Sequence, residues 1–150
     1  SKKRIINKII TIDKFFKEKL NIKPKIGVLG LNPHNDELRN NSEEKRIILP
    51  SIKFLKKKGI LVYGPISPDT AFLDYKKKGF AVIVGMYHDQ VLSPFKAIFK
   101  FNAINITAGL PFLRVSPDHG TGKDIIKKNK ANPESLIDCI SFFKKINVKT

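Results

Sequence analysis

Lys25-Ile26-Gly27-Val28-Leu29-Gly30-Leu31 is an apolar run that follows Pro24 and stops at Asn32-Pro33. Its length and its Ile, Val and Leu content read as a strand buried on both faces, the kind found in parallel sheets. Similar runs follow at Ile60-Leu61-Val62-Tyr63, at Phe80-Ala81-Val82-Ile83-Val84-Gly85-Met86 and from Ala103 to Thr107. Helical patterns separate them. Ile5, Ile6, Ile9, Ile12, Phe16 and Leu20 recur at three-to-four spacing and predict an amphipathic helix over 3–20. Ser42-Glu43-Glu44 has the cap and the acids of a helix start, and the helix is expected to run to Lys58 with a kink at Pro50. Further helices are expected near 70–78, 91–100 and 124–128, with 109–120 irregular around Pro111 and Pro117. Pro133 should open a last helix through Ile146. The alternation predicts an α/β fold, one unit over 1–150, with a largely parallel sheet flanked by helices.

The chain has 150 residues, 41% of them hydrophobic, which is enough for a core. A single Cys excludes a disulfide framework, and Cys139 is expected as a buried thiol of the last helix. No apolar run approaches the ~18 residues of a membrane span, and residues 1–20 lack a signal-peptide pattern. The expectation is a soluble, cytoplasmic protein. The sequence opens on Ser1 rather than Met, so we expect a piece of something longer.

The net charge of +16 invites a nucleic-acid reading. Of the 29 basic residues, however, 25 are Lys, whereas base readout leans on Arg. Lys56-Lys57-Lys58-Gly59 and Lys76-Lys77-Lys78-Gly79 also look like helix C-termini, with cations at the negative end of the dipole and Gly beyond. The lysines are therefore read as solvated faces, with neither nucleic acid nor membrane as partner.

In open α/β sheets, ligands bind beyond the carboxyl ends of the strands. The loops there hold Asn32-Pro33-His34, then Pro65 to Thr70 with Asp69, then Tyr87-His88-Asp89-Gln90 with Lys96 farther on. Asn105, Thr107 and Arg114 follow, and after them Asp118-His119-Gly120-Thr121-Gly122. Every His of the chain lies in such a loop. Imidazoles with nearby carboxylates suit a divalent metal, Lys96 and Arg114 suit an anionic substrate, and a glycine turn ahead of a helix suits a nucleotide. The plain structural reading stands beside this one: a lone loop His is more often a surface or capping group, and Asp118-His119-Gly120 reads equally as an Asx-type turn.

Five stretches together resemble the 4-hydroxythreonine-4-phosphate dehydrogenase family of pyridoxal phosphate biosynthesis. They are Gly30-Leu31-Asn32-Pro33-His34, Gly64-Pro65-Ile66-Ser67-Pro68-Asp69-Thr70, Met86-Tyr87-His88-Asp89-Gln90, Asn105 to Arg114, and Ser116-Pro117-Asp118-His119-Gly120-Thr121. The likeness covers essentially the whole chain and corresponds to the C-terminal part of the family's chain. It implies the isocitrate/isopropylmalate dehydrogenase type of fold, a homodimer with its active site at the subunit interface, and NAD or NADP as cofactor. It also implies a divalent metal (Zn, Mg or Co), and a reaction that oxidises 4-phosphooxy-L-threonine to a β-keto acid. That acid loses carbon dioxide to give 3-amino-2-oxopropyl phosphate.

By the same resemblance, His34 and His88 match metal ligands, Asp69 and Asp89 match acidic, catalytic positions near the metal, and Lys96, Asn105 and Arg114 match substrate contacts. His119, Gly120, Thr121 and Asn132 match the stretch around the adenosine end of the cofactor, although spacing alone would tempt one to make His119 a third metal ligand. The family's third metal histidine and much of its nucleotide cleft would lie N-terminal of Ser1, so the chain alone is expected to show no turnover. The sequence departs from the family after His34, where Asn35 to Asn41 is slightly short and lacks glycines. It departs again at Val91, which stands in place of a usual Gly and would strain a turn that required positive φ. The alternatives are an inactive remnant and a relative acting on another phosphorylated hydroxy acid.

Overall fold

The computed structural model describes residues 1–34 and 39–147, so most of the stretch after His34 lies outside the described residues. The chain divides into two compact units, Ser1–Pro94 and Phe95–Thr150.

The first unit is a three-stranded parallel sheet with helices packed on it. Its strands are β1 (Ile26–Leu29), β2 (Val62–Ile66) and β3 (Val82–Val84), in the spatial order β2-β1-β3. β1 is buried along its whole length, as its apolar run predicts. Ile26 pairs with Val62 on one side and with Val82 on the other. Helix α1 (Lys2–Phe15) continues as a π-helical turn over Phe16–Leu20 and ends at Asn21, whose backbone is left-handed. α1 and helix α2 (Leu49–Lys57) build the core with β1 and β2: Ile9, Ile48, Ile52 and Leu55 close over Ile26, Val28 and Val62.

Pro50 does not kink a continuous helix as expected. A π-helical turn over Glu44–Ile48 precedes α2, and the Leu49 N–H bonds the Glu44 carbonyl. Widening to an i→i+5 register ahead of the proline takes up a clash that an α-helix would relieve by bending. Ser42 opens this helical stretch as expected: its Oγ accepts the Lys45 N–H at 3.2 Å. The lysine run at 56–58 ends the helix, with Gly59 left-handed at φ 76°.

The helix expected near 70–78 is instead a chain of turns. Ala71 is its one buried anchor, and Lys76, Lys77 and Lys78 stay exposed, so nothing offsets the cost of nucleating a helix. The Gly79 stop survives, at φ 67°.

β2 runs past its expected end at Tyr63 through Gly64-Pro65, where the register with β1 shifts. Gly64 sits at φ 136°, and a Cβ there would run into the Val28 carbonyl oxygen of the neighbouring strand. Gly64→Ala is therefore expected to cost about 2 kcal/mol, read as a lower urea midpoint. An unchanged midpoint would mean that the bulge relaxes freely.

The second unit pairs β4 (Ile104–Thr107) with β5 (Arg114–Pro117) as an antiparallel hairpin, with helix α4 (Glu134–Asn147) against it. β5 falls within 109–120, a stretch expected to be irregular. The pairing partners of Arg114–Pro117 lie in β4, and Pro111 and Pro117 mask the local signal. A 3₁₀ turn over Lys123–Ile125 replaces the helix expected at 124–128. α4 begins where Pro133 predicts, with Asn132 Oδ1 accepting the Glu134 N–H at 2.8 Å. Helix α3 (His88–Phe99) contains the boundary between the units.

Candidate functional site

Within the first unit the strand order reverses about β1: the chain goes from β1 to β2 on one side and then to β3 on the other. In doubly wound sheets that reversal opens the ligand crevice at the carboxyl ends of the two strands flanking it, here β1 and β3. The loop after β1 carries His34, and His88 opens α3 four residues past β3, not the loop expected for it.

Buried polar side chains hold these loops in place. The Glu44 carboxylate, 2% exposed, accepts the N–H groups of Leu31 at 2.8 Å and Asn32 at 3.0 Å. Burial pushes its pKa up, but bonds from the Asn32 N–H, its own N–H, the Leu31 N–H and the Ser42 hydroxyl outweigh that and leave it below the usual value. Gln90 is buried between the two loops. Its Nε2 donates to the Gly30 carbonyl at 2.7 Å, and its Oε1 accepts the Met86 N–H at 2.7 Å. Asn32 Oδ1 takes the His34 N–H at 2.9 Å, an Asx turn that fixes the start of the histidine loop. Ser67 Oγ lies 2.8 Å from the Pro33 carbonyl oxygen and 2.9 Å from Asp69 Oδ1, which ties the loop after β2 to the loop after β1.

The His88 ring is 76% exposed, and its Nδ1 stands 2.6 Å from Asp89 Oδ1. A carboxylate at that distance orients the imidazole ring. Among the described residues no three His, Cys, Asp or Glu side chains gather around one point. His34 and His88 are thus two imidazoles on the segments after β1 and β3, fewer than the three protein ligands usual at catalytic zinc. Val91, where strain was a concern, lies in α3 and is absent from the non-glycine residues at positive φ, so the helix removes that cost. A cavity of about 610 Å³ in this unit is lined by His88 together with Arg4 and Lys8, cations one turn apart on α1 that the sequence reading did not single out.

The second unit holds the other expected residues. Lys96 Nζ pairs with Asp118 Oδ2 at 2.8 Å and donates to the Asp118 carbonyl at 2.6 Å, which commits two of its three protons. Asn105 faces Ser116 across the hairpin and Thr107 faces Arg114, so all four share one face. Arg114 donates to the Thr107 hydroxyl at 3.0 Å and otherwise keeps its fork exposed.

His119, Gly120, Thr121 and Asn132 line a single cavity of about 890 Å³. Ser135, 3% exposed, fixes its rim by donating to the Ala103 carbonyl at 2.6 Å and accepting the Asp118 N–H at 3.1 Å. A Cβ built on Gly120 meets nothing within 4 Å.

Glu44, Gln90 and Ser135 are the positioning groups that sequence reasoning missed. Two of them had a signal. Glu44 precedes the buried Ile48 and Ile52 at four-residue spacing, and Ser135 stands four residues before the buried Cys139. A polar residue on an apolar stripe calls for a partner. Gln90 had no such signal. The Cys139 thiol is buried as expected, and burial, with Asp138 nearby, pushes its pKa up.

The sequence profile of the family described as pyridoxal phosphate biosynthetic protein PdxA matches residues 1–143. A 4-hydroxythreonine-4-phosphate dehydrogenase of Sulfurihydrogenibium sp. (strain YO3AOP1) is 52% identical over 142 residues, covering 93% of this chain and 44% of its own. A D-threonate 4-phosphate dehydrogenase of Pectobacterium atrosepticum is 47% identical over 114 residues, covering 75% of this chain and 35% of its own. The crystal structure of 4-hydroxythreonine-4-phosphate dehydrogenase from Klebsiella pneumoniae superposes with a TM-score of 0.79 at 38% identity, over 99% of this chain and 44% of that one. The chain therefore spans less than half the length of the relatives it matches, and its parallel sheet and helices agree with the isocitrate/isopropylmalate dehydrogenase-like fold. With a family match over nearly all of its length and with the family's five motifs in order, the chain belongs to the pyridoxal phosphate biosynthetic protein PdxA family.

Proposed function

We propose that the chain is the C-terminal portion of a 4-hydroxythreonine-4-phosphate dehydrogenase, a homodimeric enzyme that oxidises 4-phosphooxy-L-threonine with NAD or NADP and a divalent metal. The observation that carries this reading is the cavity of about 890 Å³ in which all four residues expected around the cofactor meet. Gly120 admits a close approach, His119 and Thr121 offer polar contacts beside it, and Phe101, Ile125 and Ile126 give the cavity apolar walls suited to an adenine ring.

When bound, the ion would ease loss of the substrate's hydroxyl proton and NAD(P) would take up the hydride. The chain's own residues do the rest. His34 and His88 present imidazoles from the carboxyl ends of two adjacent strands. Asp89 fixes the His88 tautomer, and Asp69 or Asp89 is placed in the family's acidic positions to accept the hydroxyl proton. Lys96, Asn105 and Arg114 bind the anionic substrate, Arg114 with the exposed planar fork that matches a phosphate or carboxylate. The β-keto acid product then loses carbon dioxide. A second reading, a related phosphorylated hydroxy acid as substrate, rests on the D-threonate 4-phosphate dehydrogenase among the relatives. The ratio of kcat/KM for the two substrates decides between them.

The cofactor reading is tested in a full-length enzyme carrying this sequence. Its addition to NADH or NADPH is expected to raise the dihydronicotinamide fluorescence, and Gly120→Val should abolish that rise. Because Gly120 has open space beyond it, the variant should keep its circular dichroism spectrum and melting temperature. Unchanged binding by Gly120→Val would remove the cavity from the cofactor site.

A further inference from the structure

Lys96 is held differently from the lysines that flank the helices. The ion pairs Lys14–Glu18, Lys17–Asp13 and Lys77–Asp74 join residues three or four apart. Lys96 instead reaches from α3 to a residue 22 positions on, and that one residue takes its ammonium twice. The Asp118 carboxylate stands at 2.8 Å and the Asp118 carbonyl oxygen at 2.6 Å. The Phe101 ring, 5.7 Å from Nζ, covers a third side. The two charged side chains are 33% and 22% exposed, so water and salt screen the pair only in part. Asp118 is fixed from behind as well. Its N–H donates to Ser135 Oγ at 3.1 Å, and Ser135, buried on α4, is tied to the Ala103 carbonyl just before β4. A lysine side chain left in water samples many rotamers, whereas this clamp imposes one direction on the ammonium.

Resting on the reading of Lys96 above as a contact for the anionic substrate, we propose that Asp118 is the positioning residue of Lys96: it aims the ammonium and, as its resident counter-ion, weakens its hold on the substrate's phosphate. The two effects fall on different kinetic quantities. Aim governs turnover, because an anchor that lets the substrate shift costs rate even when binding is kept. Charge governs affinity, because a carboxylate and a phosphate around one ammonium repel each other. Removing the carboxylate should therefore tighten the binding of a phosphate and slow the reaction together.

The test uses a full-length enzyme carrying this sequence, with inorganic phosphate as a competitive probe against 4-phosphooxy-L-threonine. In Asp118→Ala phosphate should inhibit about fivefold more tightly while kcat falls about tenfold. Asp118→Asn keeps an acceptor for the ammonium and loses the charge, so it should show the same tightening with a smaller fall in kcat, about threefold. A loss of folded enzyme lowers kcat but cannot tighten an inhibitor, which separates positioning from a merely structural role. In a Lys96→Ala background Asp118→Ala should lower kcat by less than about twofold, because no ammonium is left to aim. Phosphate inhibition that is unchanged or weaker in both Asp118 variants would overturn the proposal and leave Lys96 a substrate contact. So would a loss of kcat that persists in full in the Lys96→Ala background. A Lys96→Ala enzyme that binds phosphate as well as the unmodified one would remove Lys96 from the substrate site, and the proposal with it.

Discussion

On the proposed function, His88→Ala in a full-length enzyme carrying this sequence is expected to lower kcat by at least ~100-fold, because even outer partners of metal ligands typically cost 10–100-fold when removed. The same variant should hold less divalent metal per subunit, read by elemental analysis after dialysis. Stability should barely move. The His88 side chain is 76% exposed and its ring is bonded to Asp89, itself 78% exposed, so little buried surface is lost. Substitutions of that kind usually stay within ~0.5 kcal/mol. The pairing of a large catalytic loss with an unchanged melting temperature is the signature of a ligand. A variant that binds metal and turns over normally would end the ligand assignment, and one that unfolds would make His88 a structural residue.

How far the sequence carries the fold depends on where each element's partners lie. β1 is legible because burial on both faces writes itself into consecutive apolar residues. β5 is not, because Arg114–Pro117 becomes a strand only by pairing with Ile104–Thr107, and no local pattern announces that register. α4 shows the same limit in another way. Its apolar residues Leu136, Ile137 and Ile140 are each about half exposed, while the small polar Ser135 is buried with Cys139 and Ile146. Hydrophobicity alone would orient that helix the other way. The site follows this division. The histidine loops could be found because they follow recognisable strands and match family motifs. The bond from Gln90 to Gly30 spans 60 residues and depends on β1 and β3 being neighbours, which no reading of either segment supplies.

Glu44 is the test of whether those buried polar bonds hold the site. Glu44→Leu is expected to destabilise the 150-residue chain by about 4 kcal/mol, since the Leu31 and Asn32 N–H groups would each lose a charge-assisted bond worth roughly 1.5–3 kcal/mol and be left unpaired. Glu44→Gln keeps an acceptor oxygen and loses the charge, so about 1 kcal/mol is expected at pH 7. The sign of the pH dependence follows from the carboxyl being held below its usual value in the folded chain. Its stabilising contribution is complete above the unfolded carboxylate pKa of ~4.3 and fades as the pH falls through the lower folded value. The gap between the unmodified chain and Glu44→Gln should therefore be open at neutral pH and close in acid, as read from urea midpoints along a pH series. Faster hydrogen exchange at the Leu31 and Asn32 amides in both variants would locate the loss at the turn leading to His34. A Glu44→Leu chain as stable as the original, or a gap that widens in acid, would show that the carboxylate is not what anchors that turn. The histidine loop would then need some other support to present its imidazole to an ion.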